Sequence, residues 1–332
     1  MAKAPVEERT ESGGGQRGPL AVSRLPGGGG GALSDRLVQR ALLLTSQVLG
    51  RVIDEGEYLS PAGIHGVRLA IKRLRAGWRL LASALPMQAA QAETRLRALH
   101  HELAADRSRF VRLATLQRVC SESADPDLRN ALDELLGVAP FSGGGEGVTA
   151  RGLAESVGRT FRAESRAWRE LGTAAHEADL GPALRQAYKR LRRAAVEARR
   201  GDPESWHRWR LRLKRVLHQL ELVTGADGGA SLALLEQWRA LADQLGRLQD
   251  LEDLRQALDG THASARTRAL VAARIGTRQR HLFRKVRAAR EAAFALRPRE
   301  LVRVLGPAGT AEEAVGLAAG PDNPAAQGAA RT

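Results

Sequence analysis

Ile64-His65-Gly66-Val67-Arg68-Leu69-Ala70-Ile71-Lys72-Arg73-Leu74-Arg75 and Trp206-His207-Arg208-Trp209-Arg210-Leu211-Arg212-Leu213-Lys214-Arg215-Val216-Leu217 are the two stretches whose reading decides the fold. Placed at an offset of 142, from position 65 to position 207, they share His, Arg, Leu, Lys and Arg at five positions of one register. Apolar residues coincide as well: Val67 with Trp209, Ile71 with Leu213, Leu74 with Val216 and Trp78 with Leu220. Wound as a helix at about 100° per residue, His65, Arg68, Lys72, Arg75 and Arg79 fall in a sector of roughly 80°. Val67, Ile71, Leu74, Trp78 and Leu81 fall on the nearly opposite face. In the second copy His207, Arg210, Lys214 and His218 form the polar stripe, and Trp209, Leu213, Val216 and Leu220 the apolar one. The apolar stripe accounts for folding. The cationic stripe works against it, because like charges three or four residues apart repel by roughly 0.2–0.5 kcal/mol per pair. No acid lies between His65 and Arg79 to compensate. Such a stripe, present twice, predicts an anion that relieves the repulsion.

Working outward, the periodicity predicts helices throughout and no run of alternating β-branched residues that would make a strand. A first helix is expected over Leu37 to Ile53 with Ser34 as its cap, and a second from Ser60-Pro61 to Leu85. Further helices are expected over 88–120, 127–136, 150–176, 182–200, 204–224, 231–259 and 263–296. Residues 1–31, ending in Gly27 to Gly31, cannot repay the entropy of ordering and read as a disordered tail. The Gly- and Pro-rich stretch 137–149 reads as a linker, and 298–332 as a flexible tail. The expected fold class is therefore all-α. Two similar antiparallel helical bundles, 32–136 and 150–297, would be related by an internal pseudo-twofold duplication, with disordered tails outside them.

Bulk composition narrows the partners. The chain has 332 residues and a formal net charge of +15, which favours nucleic acid, anionic membrane or polyphosphate as partners. Aromatic residues make up only 4% of the chain, too few for a binder that stacks single-stranded bases. Cys120 is the only cysteine, so no intrachain disulfide framework exists. No signal-peptide pattern or membrane-length apolar run is present, and a soluble, cytoplasmic protein is expected.

Catalytic and metal chemistry find little support. The glycines at 27–31 lack the Lys-Ser/Thr that completes a phosphate-binding loop, and no Gly-x-Ser-x-Gly element occurs. His207 and His218 share a face but lie about 16 Å apart along a helix, and adjacent His100 and His101 diverge by about 100°. No metal, no cofactor and no enzymatic activity are expected, and Asp250 is read as a residue that orients a neighbouring Arg or Lys. Charge alone would equally suit a protein that grips the backbone of RNA or DNA without reading sequence.

The doubled pattern resembles the CHAD domain, the conserved histidine α-helical domain, whose signature is approximately His-x-x-Arg-x-x-x-Lys/Arg-Lys/Arg in each of two helical halves. His65, Arg68, Lys72 and Arg73 match the first copy, extended by Arg75; His207, Arg210, Lys214 and Arg215 match the second. Asp202-Pro203-Glu204 is similar to the segment that opens the family's second motif helix, and Leu245-Gly246-Arg247-Leu248-Gln249-Asp250 to its Leu-Gly-x-x-Asn/Arg-Asp segment. The first-half equivalent is Leu103 to Val111, where Arg107 is kept and Ser108 replaces the usual Asp. Leu217 and His218 replace the common Arg-Tyr, and Tyr188-Lys189-Arg190-Leu191-Arg192-Arg193 is similar to another basic helix of the family. The resemblance covers about 35–297. It implies a non-enzymatic protein that binds inorganic polyphosphate in a basic groove, with association with polyphosphate granules as a consequence. The binding residues it implies are those of the two stripes together with Arg73, Arg215, Arg107, Lys189, Arg192 and Arg193. Some members accompany a triphosphatase domain, but its Glu-x-Glu-x-Lys signature is missing here. Since both ring nitrogens of a protonated imidazole donate, His65 and His207 are expected to hold phosphate more tightly as pH falls below about 7.

Overall fold

In the computed structural model the described residues are 33–305, except 104–106, 122–124, 139–140, 142–151, 172–174, 199–200 and 225–228. The side chains of 107–110 and 229–230 are also outside the description. The tails expected at 1–31 and beyond 305, and most of the 137–149 linker, therefore lie outside the described residues.

The described residues form eleven α-helices and no strand. They are α1 (Leu33–Glu55), α2 (Pro61–Leu81), α3 (Pro86–Glu102), α4 (Arg107–Ser121), α5 (Pro126–Leu136) and α6 (Leu153–Arg169). They continue with α7 (Gly181–Glu197), α8 (Pro203–Val223), α9 (Gly229–Asp259), α10 (Ala265–Ala293) and α11 (Pro298–Leu305). Proline starts many of them, because a first-turn residue needs no amide hydrogen. Pro86 thus opens α3 after a short turn, and the expected 88–120 helix is two helices, α3 and α4. Ser34 is not a cap: it lies inside α1, buried, and its hydroxyl donates to the His176 carbonyl at 2.7 Å. Pro298–Leu305 is helical rather than part of a tail, since Leu301, Val304 and Leu305 share one face and are buried.

Two helical quartets carry the main core. In the first, α1 packs on α2, α2 on α3, α3 on α6 and α6 back on α1. In the second, α7 packs on α8, α8 on α9, α9 on α11 and α11 on α7. The quartets meet chiefly where α2 packs on α8, flanked by α1 on α8 and α7 on α2. Exchanging α1 with α7, α2 with α8, α3 with α9 and α6 with α11 leaves this list of neighbours unchanged. Arg36 of α1 also reaches across, donating to the Val223 carbonyl at 2.6 Å and the Leu305 carbonyl at 2.8 Å.

The packing does not divide at 137–149. α6 follows that stretch in sequence yet completes the first quartet, whereas α4 and α5 precede it yet pack on α9 and α10. There they form a second apolar cluster, in which Leu116, Val119, Leu128 and Leu135 meet Leu251, Leu254, Val271 and Ile275. Burial drives this exchange: α4 and α5 cover the outer length of the α9–α10 hairpin, and α6 supplies the wall that α1 and α3 lack.

Aromatic side chains fill both quartets. Trp78 packs on Trp168 with ring centroids 4.3 Å apart, and Tyr188 stacks on Trp238 at 5.5 Å. Trp238 Nε1 donates to the Ala293 carbonyl and Tyr188 Oη to the Leu296 carbonyl. Trp78 Nε1 donates to Glu164 at 2.8 Å, and Arg95 donates to the other oxygen of this fully buried carboxylate.

Between the quartets, Glu221 accepts from Arg73 at 3.0 Å, from His218 at 3.2 Å and from Arg239 at 3.1 Å. Its pKa falls from the usual 4.5 to about 2: burial pushes it upward, but His218 and Arg73 outweigh burial. Burial lowers the pKa of His218 despite Glu221, so the pair is read as a charged carboxylate and a neutral imidazole donating from Nδ1.

Two outcomes are expected. Replacing Glu164 with Ala leaves Trp78 and Arg95 without their partner and should destabilise the protein by about 3–5 kcal/mol in urea unfolding. Glu221 contributes stability that is present above its unfolded value near pH 4.5 and lost as pH falls toward its folded value near 2. In Glu221→Gln, thermal melts recorded between pH 6 and 2 should lack that share of the acid destabilisation.

Candidate functional site: a cationic seam across two helices

The two helices that carry the motifs begin in the same way at the same offset. Ser60 caps α2, its hydroxyl accepting from Gly63 N at 2.9 Å, with Pro61 next. Asp202 caps α8, its carboxylate accepting from Ser205 N at 2.8 Å, with Pro203 next. Val67, Ile71, Leu74, Trp78 and Leu81 are buried on α2, and Trp209, Leu213, Val216 and Leu220 on α8. The expected apolar stripes are therefore the cores of the two quartets, and they fix where the opposite faces point.

The first stripe runs along α3. His65 is exposed, while Arg68, Lys72, Arg75 and Arg79 are half-buried. Arg68 donates to the Leu103 carbonyl at the end of α3. Arg75 donates to Glu93 at 3.2 Å and Arg79 to the same carboxylate at 2.9 Å. The compensation that is missing within α2 thus comes from another helix, and in part only: Arg97 also reaches Glu93, at 3.5 Å. His100 reports the field that remains. Its pKa is lowered to about 4, by burial first and then by Arg68, Lys72 and Arg75, so it is neutral at pH 7.

The second stripe runs along α9. His207 Nδ1 donates to Gln249 Oε1 at 2.9 Å, and Gln249 Nε2 donates to Asp253 at 2.7 Å. A carbonyl oxygen only accepts, so this bond fixes the tautomer and leaves Nε2 of His207 for a ligand. Burial raises the pKa of Asp250, against the pull of Arg210, Arg118 and Lys214. Asp250 therefore neutralises part of this stripe as Glu93 does the first.

Where α2 crosses α8 the first stripe meets further cations of α8, Arg212 and Arg215. Ala76 accepts through its carbonyl from Gln219 of α8 at 3.4 Å. Arg215 is lowered to about 10, by burial first and then by Arg79 and Arg212, with Arg75 adding to them and Glu93 opposing. Arg79 is lowered too, by burial ahead of every charge around it. Arg75, Arg79 and Arg97 therefore share the carboxylate of Glu93, which also lies in the field of Arg215, with Arg212 acting on Arg215 in turn.

Three parts of the expected set fall elsewhere. Arg73 and His218 are buried and tied to Glu221 between the quartets, because they sit on the α2–α8 contact face rather than on the stripes. They tie the two quartets together through Glu221. Lys189 and Arg193 are exposed on α7, and Arg192 lies over the Tyr188 ring and donates to the Leu296 carbonyl at 3.4 Å. That places Arg192 at the α10–α11 turn, and no contact among the described residues draws these three to the seam. The side chain of Arg107 lies outside the described residues. Conversely, Arg212, His100 and Arg118 were not singled out from sequence. Arg212 was visible as one more cation of the second motif; His100 and Arg118 become neighbours of the stripes only through packing.

Among the described residues no three His, Cys, Asp or Glu side chains gather as a metal would require, and no helix is long and apolar enough to cross a membrane.

Comparison with known proteins agrees with this architecture. The family model of the CHAD domain matches residues 51–259. The crystal structure of the CHAD domain from the plant Ricinus communis is similar in fold, with a TM-score of 0.51 and 21% sequence identity. The likeness covers 85% of this chain and 98% of that one. Among curated proteins none matches. With the doubled motif, the two quartets and a family model matching most of the chain, this protein belongs to the CHAD domain family.

Proposed function

We propose that the protein binds inorganic polyphosphate, without catalysis, along the seam formed by the α2 and α8 stripes. The observation that carries this reading is the sharing of one carboxylate, Glu93, by three guanidinium groups, those of Arg75, Arg79 and Arg97, beside the Arg215 turn of α8. The fold concentrates positive charge there at a cost, which a chain of phosphates would offset. Arg grips phosphate oxygens with paired N–H donors and Lys adds a compact charge. Cations one helical turn apart suit a polymer with one charge per phosphorus. His65 and His207 stand at the N-terminal ends of the two stripes, where a protonated ring would add an N–H donor, at Nε2 in the case of His207. A protein with this seam would associate with polyphosphate granules in the cytoplasm.

Nucleic acid is the less favoured partner. Trp78, Trp168, Trp209 and Trp238 are all fully buried, so these rings offer no platform on which bases could stack. Polyphosphate should displace a labelled oligonucleotide far better than DNA of equal phosphate content displaces polyphosphate.

Two measurements test the reading. Alanine at Arg68, Lys72, Arg210 and Lys214 together should leave the helical circular dichroism intact. It should weaken binding of long-chain polyphosphate more than about 100-fold, at roughly 1.5–3 kcal/mol per charged contact. Unchanged affinity in a folded variant would remove the proposal. The second concerns protons. Burial is the larger cause of the low His100 pKa, but a bound polyanion would offset the share due to Arg68, Lys72 and Arg75, so binding favours proton uptake there. Because the ligand favours the protonated form, affinity should rise as pH falls from 7 to 5. The rise should be shallower in His100→Gln, read by calorimetric titration at pH 5, 6 and 7.

A further inference from the structure

A second accumulation of positive charge lies away from the seam. α4, α9 and α10 enclose a cleft of about 480 Å³, within the usual range for small-molecule sites. Arg118 of α4, Arg247 of α9 and Arg274, Arg278, Arg284 and Lys285 of α10 line it, with His281 between them. No carboxylate is among the described residues of its lining. Arg274, Arg278, His281 and Lys285 of α10 recur every three or four residues and so share one face over about 16 Å of helix, with Arg284 beside it. Arg274 Nε is buried and has no hydrogen-bond partner among the described residues.

The cleft backs onto the seam but is not part of it. α9 turns Gln249 and Asp250 toward His207 and Arg210, and turns Arg247 and Leu251 toward the cleft. Arg118 is the joint, since it contributes to the field on Asp250 and also lines the cleft.

The lining decides the chemistry of the occupant. Guanidinium groups from three helices converge on one space instead of following a line, which suits phosphates clustered on a small molecule. The hydroxyls of Thr115 and Thr277 add neutral hydrogen-bonding groups. None of the described residues of the lining is Phe, Tyr or Trp, so they offer a nucleobase no ring to stack on.

We propose that the cleft between α4, α9 and α10 is a second anion site, taking a compact small molecule that carries several phosphate groups. It is separate from the reading of the seam. A linear oligophosphate and a polyphosphorylated ring share this chemistry, and the experiment distinguishes them.

Full-length protein is titrated calorimetrically with inorganic tripolyphosphate, inositol hexakisphosphate and, as a control, sulfate at equal ionic strength. The variants are Arg274→Ala/Arg278→Ala/Lys285→Ala in the cleft and Lys72→Ala/Lys214→Ala in the seam. Should the cleft triple variant fail to fold, Arg284→Glu/Lys285→Glu alters two exposed side chains only. At least one phosphorylated probe should bind saturably, unchanged in the seam variant and weakened about tenfold or more in the cleft variant. The probe affected identifies the linear or the ring form. Equal affinity in the cleft variant, loss in the seam variant alone, or heats no larger than those of sulfate would overturn the proposal. Long-chain polyphosphate titrated in parallel keeps the two readings apart. If the seam variant retains the polymer while the cleft variant loses the small probe, the seam reading fails and the cleft reading stands.

Discussion

Holding like charges together is the constraint on which this structure turns. α2 and α8 cannot cross without bringing Arg73, Arg75, Arg79, Arg212 and Arg215 into one region. Two carboxylates make the crossing tolerable. Glu221 binds Arg73 and Arg239 inside the contact, where an unpaired guanidinium would be most costly, and Glu93 partly neutralises the edge. The division of labour follows from burial. Charge is balanced where solvent is excluded and left in excess where a ligand could reach it.

The apolar cores make that excess possible. Trp78 with Trp168 in one quartet and Tyr188 with Trp238 in the other bury large aromatic areas, which anchor α2 and the α8 surroundings against repulsion from the opposite faces. The caps at Ser60 and Asp202 fix where each helix begins, so the register of cations is set from the first turn. α3 and α9 then act as flanking rails, one bearing Glu93 and His100, the other Gln249 and Asp250.

Sequence revealed much of this and stopped at definite points. Helix periodicity exposed both apolar stripes, the offset of 142 located both motif helices, and Ser60-Pro61 and Asp202-Pro203 marked where they begin, although the capping roles of Ser60 and Asp202 emerge only from the structure. Assigning Arg73 and His218 to a ligand went astray because a single helical wheel has two faces in view, core and solvent, and these residues lie on a third that meets another helix. Glu93 could not be matched to Arg75 and Arg79, because only the packing of α3 on α2 brings them together. α11 was missed because eight residues after a proline, beside an Ala-Gly-Pro stretch, look like a frayed end until Leu301 and Leu305 find the second core.

The exchange of helices between the quartets bears on how the polypeptide can assemble. The first quartet stays open until α6 arrives, yet α4 and α5 leave the tunnel of synthesis earlier and have no surface to cover until α9 and α10 follow. Neither portion can therefore mature as an autonomous unit. Cutting between Leu136 and Leu153 would give one fragment lacking a wall and another with a bare hairpin, each needing the other to regain a closed shape. Such mutual dependence makes the acquisition of structure a single late event, and it keeps a half-built seam of arginines from standing alone in the cell.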